Sequence, residues 1–241
     1  MKKVSNLLLT VILITASLPS LAQHILVEYD SNLNGKNYRN ELIVNDSQSY
    51  WRYVQNDQAT IEDNLLSDFI IKDANQNATF SNNSVFGNKF YLKDTLSNMR
   101  WTLTNDKKII LEKECYSATT NFRGREYVAY YSPTLLYSNG PWKFGGLPGL
   151  ILEIKSVDNQ FLFTASKIDY QNSENLDYQK PLKNNFLTWD EYKLSFSAAL
   201  LKFTKSLRAS GTVADGDEVT IKLDMMEFID NKSQSGNGYK F

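Results

Sequence analysis

LILEIKSVDNQFLFTASKID, residues 150–169, decides the fold. Leu150, Leu152 and Ile154 alternate with Ile151, Glu153 and Lys155, which is the period of a β-strand. VDNQ at 157–160 interrupts with turn chemistry, and FLFTASKID (161–169) resumes the strand composition. A link this short returns the chain antiparallel, because a parallel neighbour needs a crossover of about a dozen residues. Immediately upstream, GPWKFGGLPG (140–149) feeds the hairpin. Gly140, Pro141, Gly145, Gly146, Leu147, Pro148 and Gly149 of this stretch are expected to act structurally. In Leu147-Pro148-Gly149-Leu150, Pro148 suits the second position of a type II turn and Gly149 the third, where φ is positive. Gly145-Gly146 permits a bend or a close backbone approach. The stretch is thus expected to be a rigid turn that aims a core strand and positions Trp142 and Phe144.

The same grammar extends in both directions. Ile25, Val27 and Tyr29 alternate with polar neighbours, as do Leu42 and Val44. Further strands are expected at YWRYV (50–54), FIIKD (69–73), KFYLKD (89–94), MRWTLT (99–104), KKIILEKECYS (107–117) and REYVAYYS (125–132). NDKK near 105–108 and Arg123-Gly124 read as turns, and NQNATFSNNS (75–84) as a surface loop. Val219, Ile221, Leu223 and Met225 alternate with polar residues as a last strand, before a polar tail over 231–241. One helix is expected within TWDEYKLSFSAALLKFTKSLRASG. Trp189, Tyr192, Phe196, Ala199, Leu200, Phe203 and Leu207 recur at three- and four-residue steps, Thr188 and Glu191 form a capping box, and Gly211 follows Arg208 as a stop. The chain therefore reads as mainly β (α+β): an antiparallel meander, a curved sheet or half-barrel, with one C-terminal amphipathic helix packed on it.

Residues 1–22 read as a signal peptide. Lys2 and Lys3 precede an apolar run from Leu7 to Ala16, and Ser20-Leu21-Ala22 offers a small-x-small cleavage site. The run is well short of the ~20 residues that span a bilayer, and no second hydrophobic run follows. A soluble product exported to the periplasm or beyond is expected, with one β-rich domain over 23–230. Without Lys2 and Lys3, 24 basic residues stand against 27 acidic ones, and no basic stripe marks a nucleic-acid partner. One cysteine, Cys115, cannot form an internal disulfide.

Subtraction narrows the chemistry. His24 is the only histidine and lies at the expected mature N-terminus, so a Ser-His-Asp triad, a Cys-His pair and a histidine-rich zinc site have no base or ligand set. The glycines of 140–149 precede a strand and lack the Lys-Ser/Thr ending of a phosphate loop, and no GxSxG elbow exists. Neither a cofactor nor a metal is expected. Carboxylates alone can run a glycosidase, yet Asp190/Glu191 and Glu112/Glu114 read better as caps or solvated faces. Cys115, placed on a strand face with Ile109 and Leu111, reads as a buried, inert thiol. What remains is a binding surface. Tyr127, Tyr131, Trp142 and Phe144 offer aromatic bodies with polar handles, and Arg123 and Arg125 flank Gly124 as clamps for a carboxylate or phosphate. Against this stands the plainer assignment of half these aromatics to the core and of both arginines to a solvated hairpin tip.

Gly146-Leu147-Pro148-Gly149-Leu150-Ile151, with Trp101-Thr102-Leu103, Lys108-Ile109-Ile110, Cys115, Ala118, Phe122, Gly124-Arg125 and Tyr127 upstream, resembles the GLPGLI family of exported Gram-negative bacterial proteins. The resemblance covers about 90–230 and is strongest over 100–154. Tyr130-Tyr131 stands where the family usually has Trp-Tyr, and Thr134-Leu135 where an acidic residue often follows the proline. The resemblance implies an exported β-rich protein and supplies no reaction. The expected role is a non-catalytic binding module for an apolar or amphipathic ligand or an envelope protein. The alternatives are a histidine-independent hydrolase using carboxylates and an accessory partner of an outer-membrane transport system.

Overall fold

The computed structural model of the chain describes residues 24–54, 69–95, 99–170, 184–214, 217–222, 226–227, 229 and 239–241. The expected signal peptide lies outside them, as do residues 223–225 of the last expected strand and 231–238 of the expected tail. Eleven strands form one antiparallel sheet: β1 (Ile25–Leu33), β2 (Lys36–Val44), β3 (Gln48–Val54), β4 (Phe69–Asp73), β5 (Ala78–Val85), β6 (Asn88–Thr95), β7 (Thr102–Ile110), β8 (Lys113–Phe122), β9 (Arg125–Ser132), β10 (Leu150–Ser156) and β11 (Phe161–Asp169). A helix, α1 (Trp189–Ala209), follows, and β12 (Thr220–Ile221) pairs with β13 (Tyr239–Lys240) in a small second sheet.

The strand order is β6-β5-β4-β3-β2-β1-β11-β10-β9-β8-β7. Two meanders are thus joined where β1 pairs with β11, Val27 opposite Ile168 and Leu33 opposite Phe161. β6 and β7 are consecutive in sequence yet form the opposite edges. Flat, eleven strands would hold those edges about 48 Å apart. The six residues between Thr95 and Thr102 reach no further than about 25 Å. The sheet therefore turns back on itself, without hydrogen-bonded closure into a barrel. Tyr29, Trp51, Ile70, Tyr127, Ala129, Ile154 and Phe163 belong to the main core on one face. Tyr50, Phe69, Ile71, Ala78 and Phe80 form a smaller cluster on the other.

Strands β4, β9, β10 and β11 have the bounds their sequence pattern predicts. Several expectations are corrected. Residues 75–84 are no surface loop: 78–85 form β5, whose Thr79, Ser81 and Asn82 are buried. Polarity misleads there because the ladder and side-chain bonds, such as Phe69 N–H to Asn82 Oδ1 at 2.7 Å, satisfy those groups. NDKK is not a turn but part of β7, where the register shifts between Leu103 and Lys107. The reversal falls at Leu111 and Glu112, both at positive φ (49° and 60°), residue types that carry no turn signal. Cys115 therefore lies on β8 opposite Lys108, not in one strand with Ile109, which is exposed.

At the GLPG turn, Gly149 N–H bonds to the Leu147 carbonyl at 2.8 Å, so the turn is a tight three-residue one centred on Pro148, not type II. Leu150 N–H goes instead to Leu135 at 3.0 Å. β10 then bulges between Ile151 and Glu153, so that Ile151 pairs with Tyr131 and Ile154 with Ala129, and both face the main core. The simple alternation expected across 150–155 is broken there.

The helix has its predicted cap, with both halves of the Thr188–Glu191 box formed, and its stripe is buried through Tyr192, Phe196, Ala199 and Leu200. The stripe lies along β6 and the β5–β6 turn, Phe90 against Tyr192 and Phe86 against Phe196 and Phe203. Just before it, Leu187 adds to the β6 edge through Lys93 N–H to Leu187 O and Leu187 N–H to Tyr91 O, both 2.8 Å. Within the expected tail, Tyr239 is buried against Phe196. His24 Nε2 stands 3.1 Å from Asn45 Nδ2.

Candidate functional site

The loop between β9 and β10 lies over the main core. Asn139 and Gly145 form an isolated antiparallel bridge, and Phe144 N–H closes a turn onto Pro141 at 3.0 Å. Two glycines are demanded by close approach. A Cβ on Gly140 would stand 2.8 Å from Ile151 Cβ, and one on Gly149 would stand 2.3 Å from the Ser132 carbonyl. From beneath, Lys72 on β4 donates to the carbonyls of Gly140 (2.8 Å) and Phe144 (2.7 Å). Trp101 Nε1 donates to Gly145 at 2.9 Å from the side. So held, the loop sets Trp142 and Phe144 in an edge-on aromatic group with Phe122 and Tyr127.

A cavity of about 270 Å³ opens beside Trp142. Phe69 and Ile70 at the start of β4 and Asn82, Asn83, Ser84 and Val85 at the end of β5 line it. Trp51, Phe69, Ile70, Val85, Trp142 and Met226 supply apolar walls, and Asn82, Asn83, Tyr192 and Glu227 the polar positions. Trp51 Nε1 is buried without a hydrogen-bond partner among the described residues. Burial pushes the Tyr192 phenol up to about 12.

Behind the cavity sits a buried charge cluster. Glu227 pairs with both Lys143 and Arg123, and Arg123 pairs also with Asp94 on β6. The Arg123 guanidinium lies 3.6 Å from the centroid of Trp189, at the start of the helix. Burial alone would raise the Glu227 carboxyl, but Lys143 and Arg123 outweigh it and hold the group below its usual range. Arg123 thus ties the β8–β9 turn to β6 across the opening of the curled sheet. In strand order β6 and β8 stand nine places apart.

Of the residues predicted to bind ligand, Trp142 lines the cavity, and Arg123 reaches it through Glu227. Tyr127 is buried with its hydroxyl on the Met226 carbonyl, and Phe144 lies wholly in the core. Arg125 and Tyr131 stand apart. Arg125 pairs with Asp158 over the Phe161 ring, and Tyr131 packs against Tyr116. Neither arginine is a solvated hairpin tip. Sequence reasoning missed Trp51, Tyr192, Lys72, Lys143 and Glu227 as site residues. A lysine inside the apolar FIIKD strand was the one legible hint, because β4 is buried on both faces. The last two have no local signal, since their partners lie 84 residues apart.

No family model and no curated protein matches the chain. Among solved structures, PNGF-II in space group C2 superposes with a TM-score of 0.53 and 18% identity, over 76% of this chain and 33% of that one. The P21 form gives a TM-score of 0.53 and 17% identity, over 76% and 34%. This is a likeness of fold. The chain spans about a third of the length of PNGF-II. The MucA/MucB complex of Pseudomonas aeruginosa aligns over 68% of this chain and 56% of that one at a TM-score of 0.35 and 7% identity, too slight to bear on the fold.

Proposed function

We propose that the protein is an exported, non-catalytic binding module of the cell envelope. Its sheet acts as a half-barrel, and the cavity between Trp51, Trp142 and Tyr192 takes the apolar part of a small amphipathic ligand. The observation that carries this reading is the lining: broad apolar and aromatic walls with a few convergent polar groups, the usual makeup of a ligand site. The resemblance to the GLPGLI family and the secretory pattern of residues 1–22 agree with an envelope location. A carboxylate hydrolase is less well supported, because Glu227, the one carboxylate lining this cavity among the described residues, is neutralised by two cations. A glycosidase needs two carboxyl groups free to exchange protons or attack.

The test uses the neutral amphiphile N-phenyl-1-naphthylamine, whose fluorescence rises in apolar surroundings. Saturable enhancement with one site per chain is expected, weakened severalfold by Trp142→Leu in a protein with an unchanged melting profile. No enhancement, or enhancement indifferent to Trp142, would sink the reading. Cell fractionation checks the location.

A protein partner is the second reading, favoured by the β7 edge. Leu103 (62% exposed) and Ile109 (68%) lie there beside a backbone that, among the described residues, is paired on one side only. Native mass spectrometry of protein drawn from its own envelope separates the two. A retained small mass supports the first, and a retained polypeptide the second.

A further inference from the structure

A second cavity, of about 420 Å³, lies on the other side of the β9–β10 loop, between the β2–β3 turn and residues 136–139. Val44, Ala74, Leu136 and Tyr137 give it apolar surface, Asn45 and Gln48 amides, and Lys72 also lines it. Lys72 is 5% exposed. An ammonium carries three N–H groups, and two of them donate to Gly140 and Phe144. Among the described residues the third has no protein acceptor, and no carboxylate stands within ion-pair distance of Lys72.

The neighbouring acids are otherwise placed. Asp73 accepts from Gln48 Nε2 (2.8 Å) and Gln76 Nε2 (2.9 Å), and Asp46 is exposed where it lines the cavity. Lys143 lines the same space, but its amine is bound to Glu227. A buried cation with no counter-charge is costly. Burial accordingly lowers the Lys72 amine to about 7.

We propose that this second cavity binds a small monocarboxylate, with the Lys72 ammonium as its anchor. The carboxylate supplies the missing third acceptor and the missing negative charge at once, a charge-assisted bond in a low-dielectric setting. A single negative charge fits better than a phosphate dianion, because Asp46 repels the excess. The volume suits a ligand of metabolite size.

Isothermal titration calorimetry with phenylacetate and its neutral isostere phenylacetamide tests this on the whole chain. Phenylacetate is expected to bind at one site and phenylacetamide at least about tenfold more weakly, as loss of a charged hydrogen bond implies. Lys72→Met should abolish the difference. Should that variant fail to fold, Leu136→Asp serves in its place: Leu136 is 88% exposed at this cavity, so added negative charge there leaves the core intact. It should weaken phenylacetate severalfold and leave phenylacetamide unchanged. Equal affinity for the two probes, no binding of phenylacetate, or binding lost in Trp142→Leu but untouched by Leu136→Asp would overturn the proposal. The last outcome would assign the probe to the first cavity.

Discussion

Tyr29 on β1 donates its hydroxyl to the backbone carbonyl of Ile151 on β10, at 2.7 Å and wholly buried. The acceptor lies at the β10 bulge, where the ladder is interrupted. One phenol therefore satisfies a carbonyl that the bulge frees, across 122 residues of sequence. Tyr29→Phe keeps the edge contact with the Trp51 ring, 5.5 Å away, but leaves that carbonyl unpaired. A loss of about 1–3 kcal/mol is expected, read as a lower urea midpoint at unchanged slope.

Gly149→Ala should cost more than Gly35→Ala. Both positions have positive φ, 151° and 80°, but a Cβ at 149 meets the Ser132 carbonyl at 2.3 Å while one at 35 meets nothing within 4 Å. About 1–2 kcal/mol is expected at 35 from backbone strain alone. At 149 overpacking adds about 1–3 kcal/mol or prevents soluble expression. Equal melting temperatures for the two variants would contradict the close approach.

Glu227→Gln strands Lys143 and Arg123 without their shared anion. Breaking one partner of a buried ion pair costs about 3–5 kcal/mol. In the wild type the folded Glu227 carboxyl titrates below its unfolded value. Its contribution is thus complete above the unfolded pKa, about 4.3, and is lost as the pH falls through the lower folded one. Melting curves from pH 7 down to pH 3 should show the wild type losing part of its advantage over Glu227→Gln below about pH 4.

Lys72 gives a slope of the same sign in a higher pH window, here from a burial penalty that is relieved as the amine loses its proton. Its folded pKa of about 7 lies below the unfolded value. Above pH 7 the unfolded chain binds more protons at this site, so wild-type stability should rise with pH. Denaturation at pH 7 and pH 9 should show the wild type gaining on Lys72→Met. A difference that does not move with pH would refute the buried, unpaired ammonium.

Cys115 is fully buried, and burial pushes its thiol up to about 11. Too little thiolate forms at pH 8 for attack on a disulfide reagent. Native protein should leave Ellman's reagent uncoloured for hours, and urea should release one equivalent at once.

Much of the fold was legible because its causes are local. Strand-forming composition between turn signals places β4, β9, β10 and β11, and the Thr188–Glu191 box starts the helix, since composition and capping act within a few residues. Arg123-Gly124 turns as its glycine implies. Local reasoning failed where a distant partner decides. β5 is polar, and it is a strand because β4 and β6 flank it. Leu111-Glu112 reverses the chain with no turn residue, because the β7 and β8 ladders impose it.

The candidate site divides in the same way. Trp142 and the glycines of 140–149 stood out in the sequence as a shaped loop. Trp51, Tyr192 and Glu227 did not, for they come from a strand, a helix and a late segment that share no local pattern. The sequence by itself determined a histidine-poor, antiparallel β chain with one capped helix, because periodicity and composition are properties of neighbours. Only the tertiary structure decided that Arg123 reaches Asp94 and Glu227, that Lys72 sits under the loop, and that two cavities flank it. Those contacts join strands far apart in order, and they exist only because the sheet curls back on itself.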